Sequence, residues 1–131
     1  MIVVDSCGWI EYLADGPLAP QYEKCFENLD KVITPSLVMY EVYQKVKAEK
    51  GEELALSVIA QMEKTRIVPA DQEIALLAAD LSTKHALPLP DAVVYATAIR
   101  EKARVVTSDP HFKNLQEVVF RAEPSLFSNI K

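Results

Sequence analysis

Residues 88–112 constrain the fold most strongly, because they combine an apolar helix, a short strand and two acids. Residues 92–99 contain no charged side chain, which predicts a helix buried on all sides. Asp91 follows a proline and is predicted to start this helix and cap its first turn. Residues 105–107 then predict a strand that leads to Asp109. Since a helix in a right-handed crossover runs antiparallel to the strand it feeds, Asp91 and Asp109 are expected to meet in space.

The rest of the chain alternates short apolar strands with helices. The predicted strands cover residues 2–4, 31–34, 66–69, 105–107 and 117–120. The predicted helices cover residues 6–14, 21–29, 35–51, 52–64, 71–85 and 91–100. Five short apolar strands separated by helices favour an α/β fold, a three-layer α/β/α sandwich with a five-stranded parallel sheet.

Composition limits the class of protein. The 131 residues, half of them hydrophobic, predict one domain over residues 1–131. A net charge of −5 excludes a broadly basic nucleic-acid binder, so nucleic acid would need a local basic patch or metal ions. No apolar run is long enough to cross a membrane and Asp5 interrupts the first one early, so we expect a cytoplasmic protein. Cys7 and Cys25 lack metal-site spacing and are expected to be buried free thiols.

Four acids are expected at the carboxyl edge of the sheet: Asp5, Glu41, Asp91 and Asp109. Taken singly, each has a structural explanation, as a helix cap, a turn residue or, for Glu41, an i,i+4 pair with Lys45. Taken together they repel one another, and such a cluster either raises its pKa values or binds a cation. Oxygen ligands suit Mg²⁺ or Mn²⁺, which predicts metal-assisted hydrolysis of a phosphodiester.

Four short motifs surround these acids. They are IVVDS at residues 2–6, PSLVMYE at 35–41, LPDAVVYATA at 89–98 and TSDPHF at 107–112. In this order and at these intervals they resemble the motifs of PIN-domain ribonucleases, in particular the VapC-type toxins of bacterial and archaeal toxin–antitoxin pairs. The resemblance spans essentially the whole chain. It implies a PIN-like fold with a five-stranded parallel sheet and a Mg²⁺- or Mn²⁺-dependent endoribonuclease that cleaves RNA.

The resemblance also assigns residues and partners. The catalytic and metal-binding acids would be Asp5, Glu41, Asp91 and Asp109. Ser6 and Thr107 match hydroxyls that orient the carboxylates from a second shell. Relatives are usually homodimers held inactive by a cognate antitoxin protein. Apolar helices over residues 35–64 and an apolar tail from residue 121 agree with a homodimer and a further groove for an antitoxin segment.

Some relatives carry a further acid where this chain has His111. Without a second histidine nearby, we interpret His111 as a surface or RNA-contacting residue rather than a ligand. Two other function classes stay open. A receiver-like phospho-acceptor domain also groups acids at strand ends, but it predicts a lysine at the end of its last strand, and residues 117–120 contain none. A non-catalytic PIN-like module would bind RNA or protein and keep the acids as a structural cation site. Mn²⁺-dependent cleavage of RNA separates these classes.

Overall fold

The structure is a computed structural model and describes residues 1–116 and 118–120. Its strands are β1 (Ile2–Val4), β2 (Val32–Pro35), β3 (Arg66–Val68), β4 (Arg104–Thr107) and β5 (Val118–Phe120). The four strands β3-β2-β1-β4 are parallel, and the short β5 pairs in parallel with the outer side of β4. The predicted α/β class with a parallel sheet is confirmed.

Helices connect the strands within the described residues. They are α1 (Ser6–Leu13), α2 (Ala19–Glu23), α3 (Ser36–Lys50), α4 (Glu52–Met62), α5 (Gln72–His85) and α6 (Leu89–Arg100). Apart from the second, the predicted helices agree with these to within about two residues. No helix among the described residues has the length and apolarity needed to span a membrane. The apolar tail from residue 121, and residue 117 of the predicted last strand, lie outside the described residues.

The single helix predicted over residues 21–29 is wrong. Instead, α2 has only five residues and is followed by two 3₁₀ turns, Lys24–Phe26 and Leu29–Lys31. Between these turns Asn28 is extended, and its side chain accepts a hydrogen bond from the Asp30 N–H at 3.2 Å. Such a local side-chain bond competes with the helical bonds of the backbone, so the segment starts a new turn here.

The predicted capping role of Asp91 is also wrong. Helix α6 begins at Leu89, after Pro88, and Asp91 lies in its first turn without capping it. The reason is the proline at position 90. A proline fits the first turn of a helix, where its missing N–H is not needed, so the helix starts before it rather than after it. The Asp91 carboxylate is therefore not used by its own helix.

Helix α6 lies at the centre of the core. Residues 92–98 are all buried, as the absence of charged side chains predicted, but Ile99 at the end of the predicted buried run is 40% exposed. The helix contacts α5 and three strands, β1, β2 and β4. Because its C-terminus leads into β4, its N-terminus, with Asp91, lies towards the edge where β4 ends.

Helix α1 lies unusually close to the sheet. A Cβ atom on Gly8 would be 2.5 Å from Val4 Cγ1 and 2.6 Å from the buried Tyr22 ring. Real Cβ atoms do not approach other atoms so closely, so this position requires glycine. The close approach fixes the turn between β1 and α1, and Asp5 occupies that turn.

Candidate active site

The four predicted acids lie at the edge of the sheet where the strand order reverses. The strands β1 and β4 are neighbours, Asp5 directly follows β1, and Asp109 follows β4. Carboxylate oxygens of Asp5 and Asp109 lie within 4.8 Å of each other, as do those of Asp91 and Asp109. Glu41 acts electrostatically on Asp5. The carboxyl ends of parallel strands at such a reversal are where ligands bind in open α/β sheets.

Asp5 is the most buried of the four, with only 4% of its surface exposed. It caps α1, because its Oδ1 accepts a hydrogen bond from the Gly8 N–H at 3.0 Å. Its Oδ2 accepts a short hydrogen bond from the Thr107 hydroxyl. Burial nevertheless raises the pKa of Asp5 to about 6. The negative charges of Asp109 and Glu41 raise it further by smaller amounts. Asp5 thus caps α1, but its charged form is disfavoured by burial.

Two hydroxyls hold the acids in position. The Thr107 Oγ1 that donates to Asp5 also accepts a hydrogen bond from the Asp109 N–H at 3.0 Å, so one buried side chain connects both acids. Ser6 makes a side-chain hydrogen bond with Glu41. These are the two hydroxyl residues that the resemblance singled out, and the structure places each beside an acid.

Glu41 lies in the second turn of α3 and is partly buried. Burial raises its pKa, and the Ser6 hydrogen bond opposes this. The alternative explanation, an ion pair with Lys45, is not supported within the described residues, since Lys45 pairs with Glu49 at 3.9 Å. Within the part of the chain that the structure describes, Glu41 therefore has no paired cation that would explain its position on α3.

Asp91 and Asp109 share one histidine. The His111 Nδ1 is 3.0 Å from Asp91 Oδ2 and 2.9 Å from Asp109 Oδ1. Asp109 also caps the 3₁₀ turn Pro110–Phe112 by accepting from the His111 N–H at 2.9 Å. Burial, followed by the charge of Asp109 and a hydrogen bond with it, raises the pKa of Asp91 to about 7, while His111 opposes the rise. The sequence placed His111 outside the carboxylate group, whereas its ring contacts two members.

Two further groups lie at the acids without having been singled out as site residues. Cys7 was expected to be buried, but it is exposed, and its Sγ lies within 4.8 Å of oxygens of Asp5 and Asp109. Although part of the Cys7 side chain is exposed, its sulfur is partly shielded from water. This shielding and the four acids around it raise the pKa of Cys7 to about 12. Ser108 accepts a hydrogen bond from the buried Tyr22 hydroxyl at 3.2 Å. Their position in the sequence could have indicated both residues, because Cys7 is two residues after Asp5 and Ser108 directly precedes Asp109.

An open groove of about 480 Å³ begins at the acids and runs between α1 and α3. Its polar lining includes Ser6, Cys7, Glu41, Gln44, Lys45 and Ser108. The groove connects the carboxylates to a cationic side chain, Lys45, one helical turn beyond Glu41. An extended anionic ligand in this groove can therefore reach both the acids and this lysine.

The donor set fits a hard divalent cation. Four carboxylates converge, at least three have raised pKa values, and among the described residues their ion pairs involve His111 but no lysine or arginine. Carboxylate oxygens with room for water are the ligands of Mg²⁺ and Mn²⁺. The residues present therefore match the chemistry of such an ion.

The family is decided by the sequence match. Residues 2–118 match the family model of the PIN domain. The chain belongs to the PIN domain family. No curated protein sequence matches it significantly.

Solved structures with the same PIN fold include toxins. A toxin–antitoxin complex from Klebsiella pneumoniae has a TM-score of 0.80 at 22% identity, covering 94% of this chain and 99% of that one. FitAcB from Neisseria gonorrhoeae has a TM-score of 0.75 at 21% identity, covering 92% and 97%. VapC20 from Mycobacterium tuberculosis, a sarcin–ricin loop cleaving toxin, has a TM-score of 0.66 at 16% identity, covering 79% and 85%. At these identities the likeness establishes the fold alone.

Proposed function

We propose that this PIN domain is a metal-dependent endoribonuclease and the toxin of a type II toxin–antitoxin system, acting in the cytoplasm. The observation that carries the proposal is the group of four carboxylates at the strand-order reversal. Asp5, Glu41 and Asp91 have raised pKa values, and none of the four has a lysine or arginine partner among the described residues. A fold does not maintain such repulsion for its own stability, because each unpaired buried charge costs free energy. A divalent cation removes that cost.

Each acid has a role in this proposal. Asp5, Asp91 and Asp109 hold a Mg²⁺ or Mn²⁺ ion, and Glu41 binds it directly or through water. A bound ion of this kind supplies Lewis acidity at the scissile phosphate and lowers the pKa of water. Thr107 keeps Asp5 oriented through its hydroxyl, and a hydrogen bond with Ser6 does the same for Glu41. Held in this way, the carboxylates need little rearrangement during the reaction.

RNA binding follows from the groove between α1 and α3. Lys45 in this groove offers a cation to a phosphate, and Gln44 offers an amide to a base or sugar. Since the chain as a whole is acidic, binding depends on this local cation and on the metal ion. VapC20 is a toxin that cleaves the sarcin–ricin loop, which supports RNA as the class of substrate here.

An antitoxin partner has its own support. A small apolar groove of about 120 Å³ lies between α1, α3 and α4, and it is lined in part by Ile10, Leu13, Val46, Leu54 and Val58. Leu13 and Leu54 are 38% and 47% exposed. The similar structure from Klebsiella pneumoniae is a toxin–antitoxin complex. We therefore assign this groove to an apolar segment of an antitoxin.

We also propose a homodimer. The large apolar side chains of Leu76 on α5 and Leu89 on α6 are 62% and 68% exposed, which a partner subunit would cover. Light scattering at tens of micromolar, roughly the usual working range, should give twice the monomer mass, and a monomer would contradict the proposal.

The single domain over residues 1–131 and the three-layer arrangement are also part of what we propose. The reversal of strand order supports the latter, since right-handed crossovers then put α5 and α6 on the face opposite α1.

The test is RNA cleavage by the purified protein with Mn²⁺ and with EDTA, beside calorimetric titration with Mn²⁺. The parent should bind Mn²⁺ and cleave RNA only when the ion is present. Asp109→Asn keeps the shape of the side chain but removes a ligand charge, so cleavage should fall by at least about 100-fold. Binding of Mn²⁺ without cleavage would favour the non-catalytic binding module. Absence of Mn²⁺ binding at millimolar concentration would remove the metal site altogether.

A further inference from the structure

The side chain of His111 lies against the carboxylates that the proposed function assigns to the cation. Its Nδ1 is 3.0 Å from Asp91 Oδ2 and 2.9 Å from Asp109 Oδ1. These three ligand atoms form a group in which all members lie within 4.8 Å of one another. We propose that His111 is a nitrogen ligand of the cation, so that this site prefers Mn²⁺ and other transition ions to Mg²⁺. This inference rests on the proposed function.

The separations agree with ligation. Neighbouring ligands of an octahedral ion with bonds of about 2.1 Å are about 3 Å apart. The Nδ1 atom has this separation from one oxygen of Asp91 and from one oxygen of Asp109. The ring and both carboxylates can therefore bind the same ion with small adjustments of their side chains.

The backbone keeps the ring in place. Asp109 accepts a hydrogen bond from the His111 N–H at 2.9 Å, and Pro110 restricts the backbone between them. The 3₁₀ turn that results is anchored by Phe112, which is fully buried. Although the His111 side chain is 55% exposed, its main chain is held at the site.

The chemistry of imidazole gives the ion preference. Mg²⁺ favours oxygen ligands and keeps several waters, whereas imidazole suits the transition ions. A carboxylate at this position would add a third acid to Asp91 and Asp109 and would favour Mg²⁺. The nitrogen ligand thus distinguishes this chain from one with an all-oxygen site.

The competing explanation is that His111 only donates a hydrogen bond to the two carboxylates. The observed distances are also those of hydrogen bonds. In that case the ring orients the acids but never contacts the ion. Affinity alone does not separate the two, because loss of an orienting group also weakens metal binding. A direct measurement of nitrogen at the ion does.

The experiment is electron spin echo envelope modulation of Mn²⁺ bound to the full chain. The parent should show modulation from an imidazole ¹⁴N nucleus. His111→Ala should lose it, and His85→Ala should keep it, since His85 is the other of the two histidines.

Calorimetry should show that His111→Ala weakens Co²⁺ binding by at least about tenfold and Mg²⁺ binding much less. His111→Asp should bind Mg²⁺ more tightly than the parent and lower the ratio of Co²⁺ to Mg²⁺ affinity.

A second variant tests the hydrogen-bond explanation. His111→Gln retains an amide donor that reaches the carboxylates, so it should restore any purely orienting role but not the preference for Co²⁺. Retention of the parent's Co²⁺ affinity in His111→Gln, or absence of ¹⁴N modulation in the Mn²⁺-bound parent, would overturn the inference while leaving the nuclease proposal intact. If the parent binds no Mn²⁺ at all, the proposed function fails and the inference fails with it.

Discussion

Acidic side chains in two regions of this protein have pKa values shifted in opposite directions. In the first, around the end of α6, Arg100 pairs with Asp71, with Glu73 at 3.6 Å and with Glu101 at 3.0 Å. Glu101 also pairs with Arg66 at 2.8 Å. The pKa of Asp71 is lowered, first by the hydrogen bond from the Ile74 N–H that it accepts as a helix cap and then by Arg100. Here the fold supplies its own cations.

In the second group, at the carboxyl edge of the sheet, the pKa values of Asp5, Glu41 and Asp91 are raised. Burial is the largest cause both for Asp5, raised to about 6, and for Asp91, raised to about 7. Among the described residues the basic side chain beside these acids is that of His111, which is more than half exposed. The difference shows that an acid whose cation belongs to the fold stabilises it, whereas an acid without one destabilises it until an ion binds. The comparison therefore supports the proposed active site without reference to any relative.

The largest expected effect is on catalysis. Asp91→Asn removes a metal ligand and should lower the rate of Mn²⁺-dependent RNA cleavage by at least about 100-fold. Asp71→Asn is the matched control, because it makes the same change at an acid that pairs with Arg100. It should change the rate by less than about twofold. Single-turnover cleavage at saturating Mn²⁺ measures both, and equal losses would mean that Asp91 acts through stability rather than chemistry.

The next effect is on stability without metal. The unfolded chain loses the Asp5 proton near pH 3.8, while the folded protein keeps it up to about pH 6. Between these values the folded state holds the proton more tightly, so the free energy of unfolding falls as pH rises. The shift corresponds to at most about 3 kcal/mol. Asp5→Asn should therefore gain stability relative to the parent as pH increases from about 4 to about 7.

Urea denaturation in chelator-treated buffer measures this gain. The Asn side chain still accepts from the Gly8 N–H, so the cap on α1 is retained. Saturating Mn²⁺ should stabilise the parent and reverse the order of the two proteins, because the variant has lost a ligand. A difference between parent and variant that is constant across the pH range would contradict the buried charge as its cause.

The main parts of this arrangement could be predicted from sequence because they depend on chain direction and on apolar runs. Residues 92–98 form a buried helix since no charged side chain interrupts them. Asp5 and Asp109 meet because β1 and β4 are parallel neighbours, and parallel strands end at one edge. The family match over residues 2–118 then confirms the resemblance that the four motifs gave.

The remainder depends on local geometry that a residue pattern does not contain. The pattern predicted that α6 starts at Asp91, but the helix starts at Leu89 with a proline in its first turn, which releases Asp91 from capping. The second helix ends at Glu23 instead of Leu29, and Asn28 starts a separate 3₁₀ turn through a side-chain hydrogen bond. The ring of His111 reaches the acids because a tight turn folds it back onto Asp109. Each of these features depends on one side-chain rotamer or one turn, and the neighbouring sequence is compatible with other conformations.

The smallest expected effect concerns Asp71 and has the opposite sign to that of Asp5. Asp71→Asn keeps the cap, since an Asn oxygen also accepts from the Ile74 N–H, so the change isolates the pair with Arg100. Because the pKa of Asp71 is lowered on folding, its contribution is present above the unfolded value of 3.8 and is lost as pH falls through the folded value. The variant should be slightly less stable than the parent near neutral pH. This gap should narrow as pH falls below 3.8 and also in about 1 M salt, which screens an exposed pair. Urea midpoints of both proteins at these conditions give the measurement, and Asp5→Asn beside them should show a gap of the other sign that opens with rising pH. If the two variants shift stability in the same direction at neutral pH without metal, the two groups of acids do not differ as their pKa values indicate.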